Sequence, residues 1–266
     1  MSEDPKIWHY GLMAERWAEF LHDTPELEFL KQTIDRYGQP VLDLACGAGR
    51  LLLPLARSGV DIDGCDFSQD MLDQCARLAR RDGLAPQLYQ APMDAIDLPR
   101  RYSTIYIIGS FGLAGSRSRD LTTLKRCYEQ LEPGGALMLN IQAEYTFPDA
   151  WERWLPEYRA TLPEPWPEDG RPRTASDGSE HRGYFRTTKL DPLNQCYSRE
   201  VRLEKWVDGE LVASEVYALD GQMYFKNEVV LMLQVAGFSD IRVNGDYREN
   251  PATPASEEIV FTALRD

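Results

Sequence analysis

The run Val41-Leu42-Asp43-Leu44-Ala45-Cys46-Gly47-Ala48-Gly49-Arg50 sets one acid among apolar residues and then places two glycines around an alanine. It reads as a buried strand entering a tight turn and then a helix over Leu51 to Ala56, closed by Ser58-Gly59. At such a turn the backbone does the binding, because glycine lets the main chain bend sharply and approach a ligand closely. A second acid follows at a useful distance. Asp66 ends the alternating run Val60-Asp61-Ile62-Asp63-Gly64-Cys65, about twenty residues past the glycines, where a carboxylate can accept both hydroxyls of a ribose. A solvated turn aspartate is the plainer reading of the same residue.

Two well-known glycine turns do not fit. A dinucleotide turn needs a third glycine, and Leu52 occupies its place; a P-loop needs Gly-Lys-Ser/Thr, and none follows. What remains, acid-x-x-x-Gly-x-Gly, resembles motif I of the class I, Rossmann-like S-adenosylmethionine-dependent methyltransferases. The resemblance implies that the turn at Ala45, Gly47 and Gly49 backs the methionine part of the cofactor and that Asp43 orients it. Ala45 stands where the commonest family pattern has glycine. The resemblance also implies that Asp66 holds the ribose, that Phe67 and Met71 pack on the adenine, and that Asp94 accepts an adenine amino hydrogen with Met93 against the ring. Gly109-Ser110-Phe111 would face the methyl group and its acceptor. Tyr10 is expected at the cofactor, and Trp17, Phe111 and Tyr145 at the acceptor.

These residues need elements to carry them. Residues 7 to 36 hold Trp8, Tyr10, Met13, Trp17, Phe20, Leu27, Leu30 and Ile34 at helical spacing, a helical cap that packs on the core or closes over the cofactor. Ser68 suits the N-cap of a helix running to Gly83. Further strands are expected at Pro86 to Ala91, Tyr102 to Ile108 and Ala136 to Ile141, the last after a break at Glu132-Pro133-Gly134-Gly135. From Glu144 to about Gly183, tryptophans among prolines suggest an aromatic segment and a loop. Three alternating segments follow, Tyr184 to Leu190, Cys196 to Val207 and Glu210 to Leu219, with Asp208-Gly209 as a hairpin turn. A helix through Val229 to Val235 and strands near Ile241 to Val243 and Glu258 to Leu264 return to the framework. The expected fold is α/β: a doubly wound, mostly parallel seven-stranded sheet with helices on both faces, plus an inserted small antiparallel sheet. The expected divisions are a helical cap at 1–36, a cofactor-binding domain at 37–143 and 221–266, and an insertion at 144–220 that roofs the acceptor or makes a dimer.

Composition bounds the partners. A net charge of −14 over 266 residues argues against a nucleic-acid surface, which needs clustered Lys and Arg. Five cysteines, Cys46, Cys65, Cys75, Cys127 and Cys196, form no CxxC pair and lie near no histidine cluster, so no metal or disulfide framework is suggested. They fit a reducing cytoplasm. Met1-Ser2-Glu3-Asp4-Pro5-Lys6 lacks the basic-then-apolar pattern of a signal peptide, and no run reaches the ~18 apolar residues of a membrane span.

Taken together these features predict a cytoplasmic enzyme, monomeric or homodimeric, that moves a methyl group from S-adenosylmethionine to nitrogen or oxygen of a small metabolite. Positioning and exclusion of water suffice for such a displacement. No general base is assigned, since His9, His22 and His181 sit in no motif, and Tyr10, Glu144 and Tyr145 are equally placed for the role. The absence of an Asn/Asp-Pro-Pro-aromatic run after the fourth strand points away from nucleobase and protein-amide acceptors. A cofactor-binding sensor without turnover, and a protein or RNA methyltransferase, remain as alternatives.

Overall fold

The computed structural model describes residues 6–147 and 149–266. The Met1–Pro5 stretch read above for targeting signals lies outside the described residues. The chain runs β1 (Lys6–Ile7), α1 (Leu12–Phe20), α2 (Leu27–Tyr37), β2 (Val41–Leu44), α3 (Leu52–Arg57), β3 (Ile62–Asp66), α4 (Gln69–Arg81), β4 (Leu88–Gln90), β5 (Tyr102–Ile107), α5 (Arg117–Gln130) and β6 (Leu131–Gln142). Two short helices, α6 (Ala150–Arg153) and α7 (Pro156–Arg159), lead to β7 (Arg171–Thr174), β8 (Glu180–Asp191), β9 (Cys196–Val207) and β10 (Glu210–Gln222). Then come α8 (Lys226–Ala236), β11 (Ser239–Gly245) and β12 (Glu258–Leu264).

Strands β2, β3, β5, β6 and β12, buried along most of their length, make the middle of the main sheet. Its order is β11-β12-β6-β5-β2-β3-β4, parallel throughout except that β12 runs against both neighbours. Alternation sorts its side chains into two cores. Leu42, Leu44, Ile105, Ile107, Leu137 and Leu139 face Leu124 and Cys127 of α5 and Val229 and Leu233 of α8. Val41, Tyr106, Met138 and Val260 face Leu30 and Ile34 of α2, Leu52 and Leu55 of α3, and Leu72 and Cys75 of α4. This is the doubly wound α/β arrangement expected. The carboxyl ends of β2, β3 and β5 open on one edge, where ligands bind such sheets.

The second sheet has five strands, order β1-β10-β9-β8-β7, two more than the three segments expected. β7 pairs antiparallel with β8, and the two-residue β1 pairs parallel with β10, Lys6 opposite Tyr217. Single short strands carry too few alternating residues to show as a period. Asp208 and Gly209 both adopt positive φ, 51° and 82°, the backbone of a tight hairpin turn whose twist matches its strands. The described part of the N-terminal stretch is helical, as its spacing predicts. It forms two helices separated at Leu21–Glu26, and Leu12 and Met13 of the first pack on Val201, Leu203 and Tyr217 of the second sheet. The third strand of the framework is also shorter than expected, Leu88–Gln90. The Glu132–Gly135 break lies inside β6 as an irregularity between its pairings to Tyr102 and Thr104.

Candidate active site

β2 ends in the glycine turn, and three hydrogen bonds set its path. The amides of Ala45 and Cys46 donate to the Cys65 carbonyl at 2.8 and 3.0 Å, and the Gly47 amide donates to Asp66 Oδ2 at 2.8 Å. Gly49 has φ of +89°, and a Cβ there would meet Cys75 Sγ at 2.7 Å, so only glycine lets the turn seat on α4. Ala45 itself sits in the left-handed region at φ 67°, a conformation that strains any residue bearing a Cβ.

The acids of the site are held differently. Asp43 is buried, and burial pushes its carboxyl up to about 7 against the opposing pull of the Tyr106 hydroxyl and the Arg50 guanidinium. Arg50 is in turn paired with buried Glu26. Burial also raises Asp66, although the amides of Gly47 and Ser68 donate to its two oxygens at 2.8 and 2.9 Å. Asp94 goes the other way. Arg119 grips both of its oxygens, at 2.6 and 2.9 Å, and holds the carboxyl below the usual range.

A strap from the N-terminus crosses α4. Ser68 Oγ caps the helix by accepting from the Met71 amide at 3.2 Å and donates to the His9 carbonyl at 2.6 Å, while the Gly11 amide donates to Asp70 at 2.7 Å. Phe67 meets the rings of His9 and Tyr10 edge-on, with centroids 5.9 and 5.8 Å away. Burial lowers His9 to about 4, so its imidazole is neutral at pH 7.

A single cavity of about 1020 Å³ joins these parts. It takes in Asp43, Ala45, Gly47 and Gly49 from the turn, then Asp66, Phe67 and Met71, then Met93 and Asp94. Gly109, Ser110 and Phe111 from the end of β5, and Trp17 from α1, line it as well. Two of the residues singled out in the sequence stand apart. Tyr10 lies behind Phe67, its hydroxyl 3.4 Å from the Phe67 carbonyl, and Tyr145 stacks on Phe225 at 6.2 Å; neither lines the cavity.

Sequence reasoning missed several lining residues. Asn140 accepts from the Gly109 amide at 2.7 Å and donates to Glu258 at 2.7 Å, so a β12 acid reaches the end of β5. Nothing local marks Glu258, which is brought in only by the antiparallel pairing of β12 on β6. From the second sheet come Tyr197 and Arg199, which the alternation of β9 sets on one face, while Asp220 of β10, paired with Ser198, lies on the other. Among the described residues, no group of three His, Cys, Asp or Glu is arranged to hold a metal ion. No helix among them is long and apolar enough to cross a membrane.

The comparisons agree with this geometry. Residues 41–135 match the methyltransferase domain family. A putative methyltransferase of Geobacillus sp. (strain WCH70) is 22% identical over 272 residues, covering 97% of both chains. The chain spans about half the length of the demethylmenaquinone methyltransferases it also matches. Among solved structures, an S-adenosylmethionine-dependent methyltransferase from Clostridium acetobutylicum superposes with a TM-score of 0.71 at 17% identity, over 95% of this chain and 97% of that one. The sugar N-methyltransferase KedS8 from Streptoalloteichus sp. gives a TM-score of 0.69 at 18% identity, over 100% and 96%. A glycine turn after β2, an acid ending β3, this sheet order and the family match agree: residues 41–135 carry a methyltransferase domain, in a chain with the fold of the class I, S-adenosylmethionine-dependent methyltransferases.

Proposed function

We propose that the protein transfers the methyl group of S-adenosylmethionine to a nitrogen or oxygen of a small metabolite held under the second sheet. The observation that carries this reading is the shared cavity: the glycine turn and Asp66 open into the same space as Tyr197 and Arg199 of the second sheet, and about 1020 Å³ suits a cofactor with a small acceptor. In this reading Asp66 accepts the ribose hydroxyls, the turn at Gly47 and Gly49 backs the methionine tail, and Phe67 and Met71 hold the adenine. Asp94, fixed by Arg119, takes the adenine amino hydrogen beside Met93. Gly109 and Ser110 lie along the methyl, while Trp17 and Phe111 border the acceptor. Tyr10 acts one layer back, by supporting Phe67, and Tyr145, expected at the acceptor, stacks on Phe225 outside the cavity lining.

The reaction asks little covalent work of the protein. A lone pair on the acceptor forms the new bond to the methyl carbon as the carbon–sulfur bond breaks, and that electron pair returns to sulfur, leaving neutral S-adenosylhomocysteine. Alignment can supply ~7–11 kcal/mol, and a closed cavity keeps the nucleophile unsolvated. Residues 37–143 and 221–266 serve as the cofactor domain, and 144–220 closes the acceptor site together with the 1–36 segment. The pairing of β1 with β10 supports that joint role. The acidic charge and the described cysteines, all free, fit a protein of the reducing cytoplasm with no nucleic-acid partner, acting as a monomer or homodimer. The similarity to a sugar N-methyltransferase supports a polar small acceptor.

Screening amines, hydroxy compounds and nucleotide sugars with a homocysteine-coupled assay tests the proposal. Turnover with one of them is the expected result. Tight S-adenosylmethionine binding with no turnover across the screen would favour a sensor instead.

A further inference from the structure

We propose that the methyl acceptor is an amine that also carries an anionic group, a carboxylate or a phosphate ester, and that Arg199 is the anchor for that group. The inference rests on the small-molecule reading above and names the substrate class for it.

Cations around the cavity are already spoken for, with one exception. Lys6 pairs with Glu215, Arg50 with Glu26, Arg57 and Arg81 with Asp82, and Arg119 with Asp94. Arg199 lines the same cavity and has no ion pair among the described residues. On the opposite face of β8 and β9, Arg186 and Arg202 are paired with Glu200 and Glu204. A guanidinium left unpaired beside so many acids, in a chain of net charge −14, is an open site for an anion.

The wall that carries it is shaped for the purpose. Alternation along β9 puts Leu203, Val201, Arg199 and Tyr197 on one face. The first two are buried against Leu12 and Met13 of α1, and the row turns polar where it passes from that cover into the cavity. Arg199 lies over the Tyr197 ring at 4.5 Å. Tyr197 in turn lies across Gly221, its register partner on β10, where a Cβ would come within 2.3 Å of the ring. The missing side chain at 221 thus fixes the ring that steadies the guanidinium.

Acids share the chamber. Glu144 and Glu258 line it together with Arg199. A bare anion would be repelled by them. A molecule with a basic nitrogen at one end and an anion at the other satisfies both signs, and the nitrogen is then the methyl acceptor. It loses a proton to solvent before its lone pair attacks the methyl carbon.

The protein is incubated with trideuteromethyl-labelled S-adenosylmethionine and a small-molecule extract, and products bearing the isotopic mass shift are sorted on a strong anion exchanger at about pH 12, where an alkylamine is uncharged. A labelled product retained by the resin is expected; phosphatase treatment of the extract abolishes it if the anion is a phosphate ester and leaves it if a carboxylate. On that acceptor, Arg199→Ala should raise KM roughly ten- to hundredfold with little change in kcat, Arg199→Lys should fall between, and S-adenosylmethionine affinity should hold. A labelled product that passes the resin overturns the inference while leaving the methyltransferase reading intact. So does an unchanged KM in Arg199→Ala, or a loss of cofactor affinity, which would give Arg199 to the cofactor. No labelled small molecule at all would remove the small-molecule reading and this inference with it.

Discussion

Asp66 Oδ2 accepts the amide of Gly47 at 2.8 Å, which ties the last residue of β3 to the turn that follows β2. The carboxylate proposed to hold the ribose is therefore also a strut of the loop proposed to hold the methionine tail. Its other oxygen accepts the Ser68 amide at 2.9 Å, so both oxygens are fixed in place before any ligand arrives. A preordered acceptor of this kind loses little entropy on binding.

Ala45 occupies left-handed backbone at φ 67° without the glycine that tolerates it. Ala45→Gly should relieve about 1 kcal/mol of strain, offset in part by the greater freedom of glycine in the unfolded chain. The expected outcome in thermal denaturation is a midpoint equal to or a few degrees above the parent, with S-adenosylmethionine affinity unchanged. A clear loss of stability would contradict the strain.

With Asp43 in its proposed place at the cofactor, its burial predicts that cofactor binding depends on pH. Its folded pKa, pushed by burial to about 7, lies above the ordinary carboxylate value, so the native state binds more protons than the unfolded state between about 4 and 7. The contribution to stability is whole below that window and is lost as pH rises through 7. A cationic cofactor favours the ionised carboxylate, so binding should release protons and tighten as pH rises toward 7. Calorimetric titration at pH 6.5 in two buffers of different ionisation enthalpy should show that release, and Asp43→Asn should reduce it. Equal heats in both buffers would refute the coupling.

Ser68 joins the N-terminal strap to α4 by accepting from Met71 and donating to the His9 carbonyl. Ser68→Ala removes a helix cap and a buried hydrogen bond, together about 1–3 kcal/mol. Hydrogen exchange should rise at residues 8–12 and in the first turn of α4, and cofactor affinity should fall severalfold as Phe67 loses its support from His9. Exchange confined to the helix would mean that the strap is held by other contacts.

The framework was legible because its signals are local. Val41–Gly49 carries strand, turn and helix start within ten residues, and Asp66 follows at a spacing set by one βα unit. Thirteen of the fifteen residues singled out line one cavity, because parallel strands deliver their carboxyl ends to one edge. Tyr10 and Tyr145 do not, since helical periodicity gives the face of an aromatic residue but not which neighbour covers it. Glu258, Asn140 and Arg199 escaped notice for another reason. Glu258 and Asn140 are joined by the pairing of β12 on β6, segments far apart in the chain, and Arg199 sits on a local hairpin whose alternation does not say which face turns to the cavity. β1 and β7 were too short, at two and four residues, to show an alternation.

The account stands or falls on the grip of Asp66 on the ribose. Calorimetric titration of S-adenosylmethionine into the parent protein and into Asp66→Ala should give one site in the parent and a roughly ten- to hundredfold weaker one in the variant, from loss of charge-assisted hydrogen bonds of ~1.5–3 kcal/mol. Equal dissociation constants, with the variant folded, would contradict it.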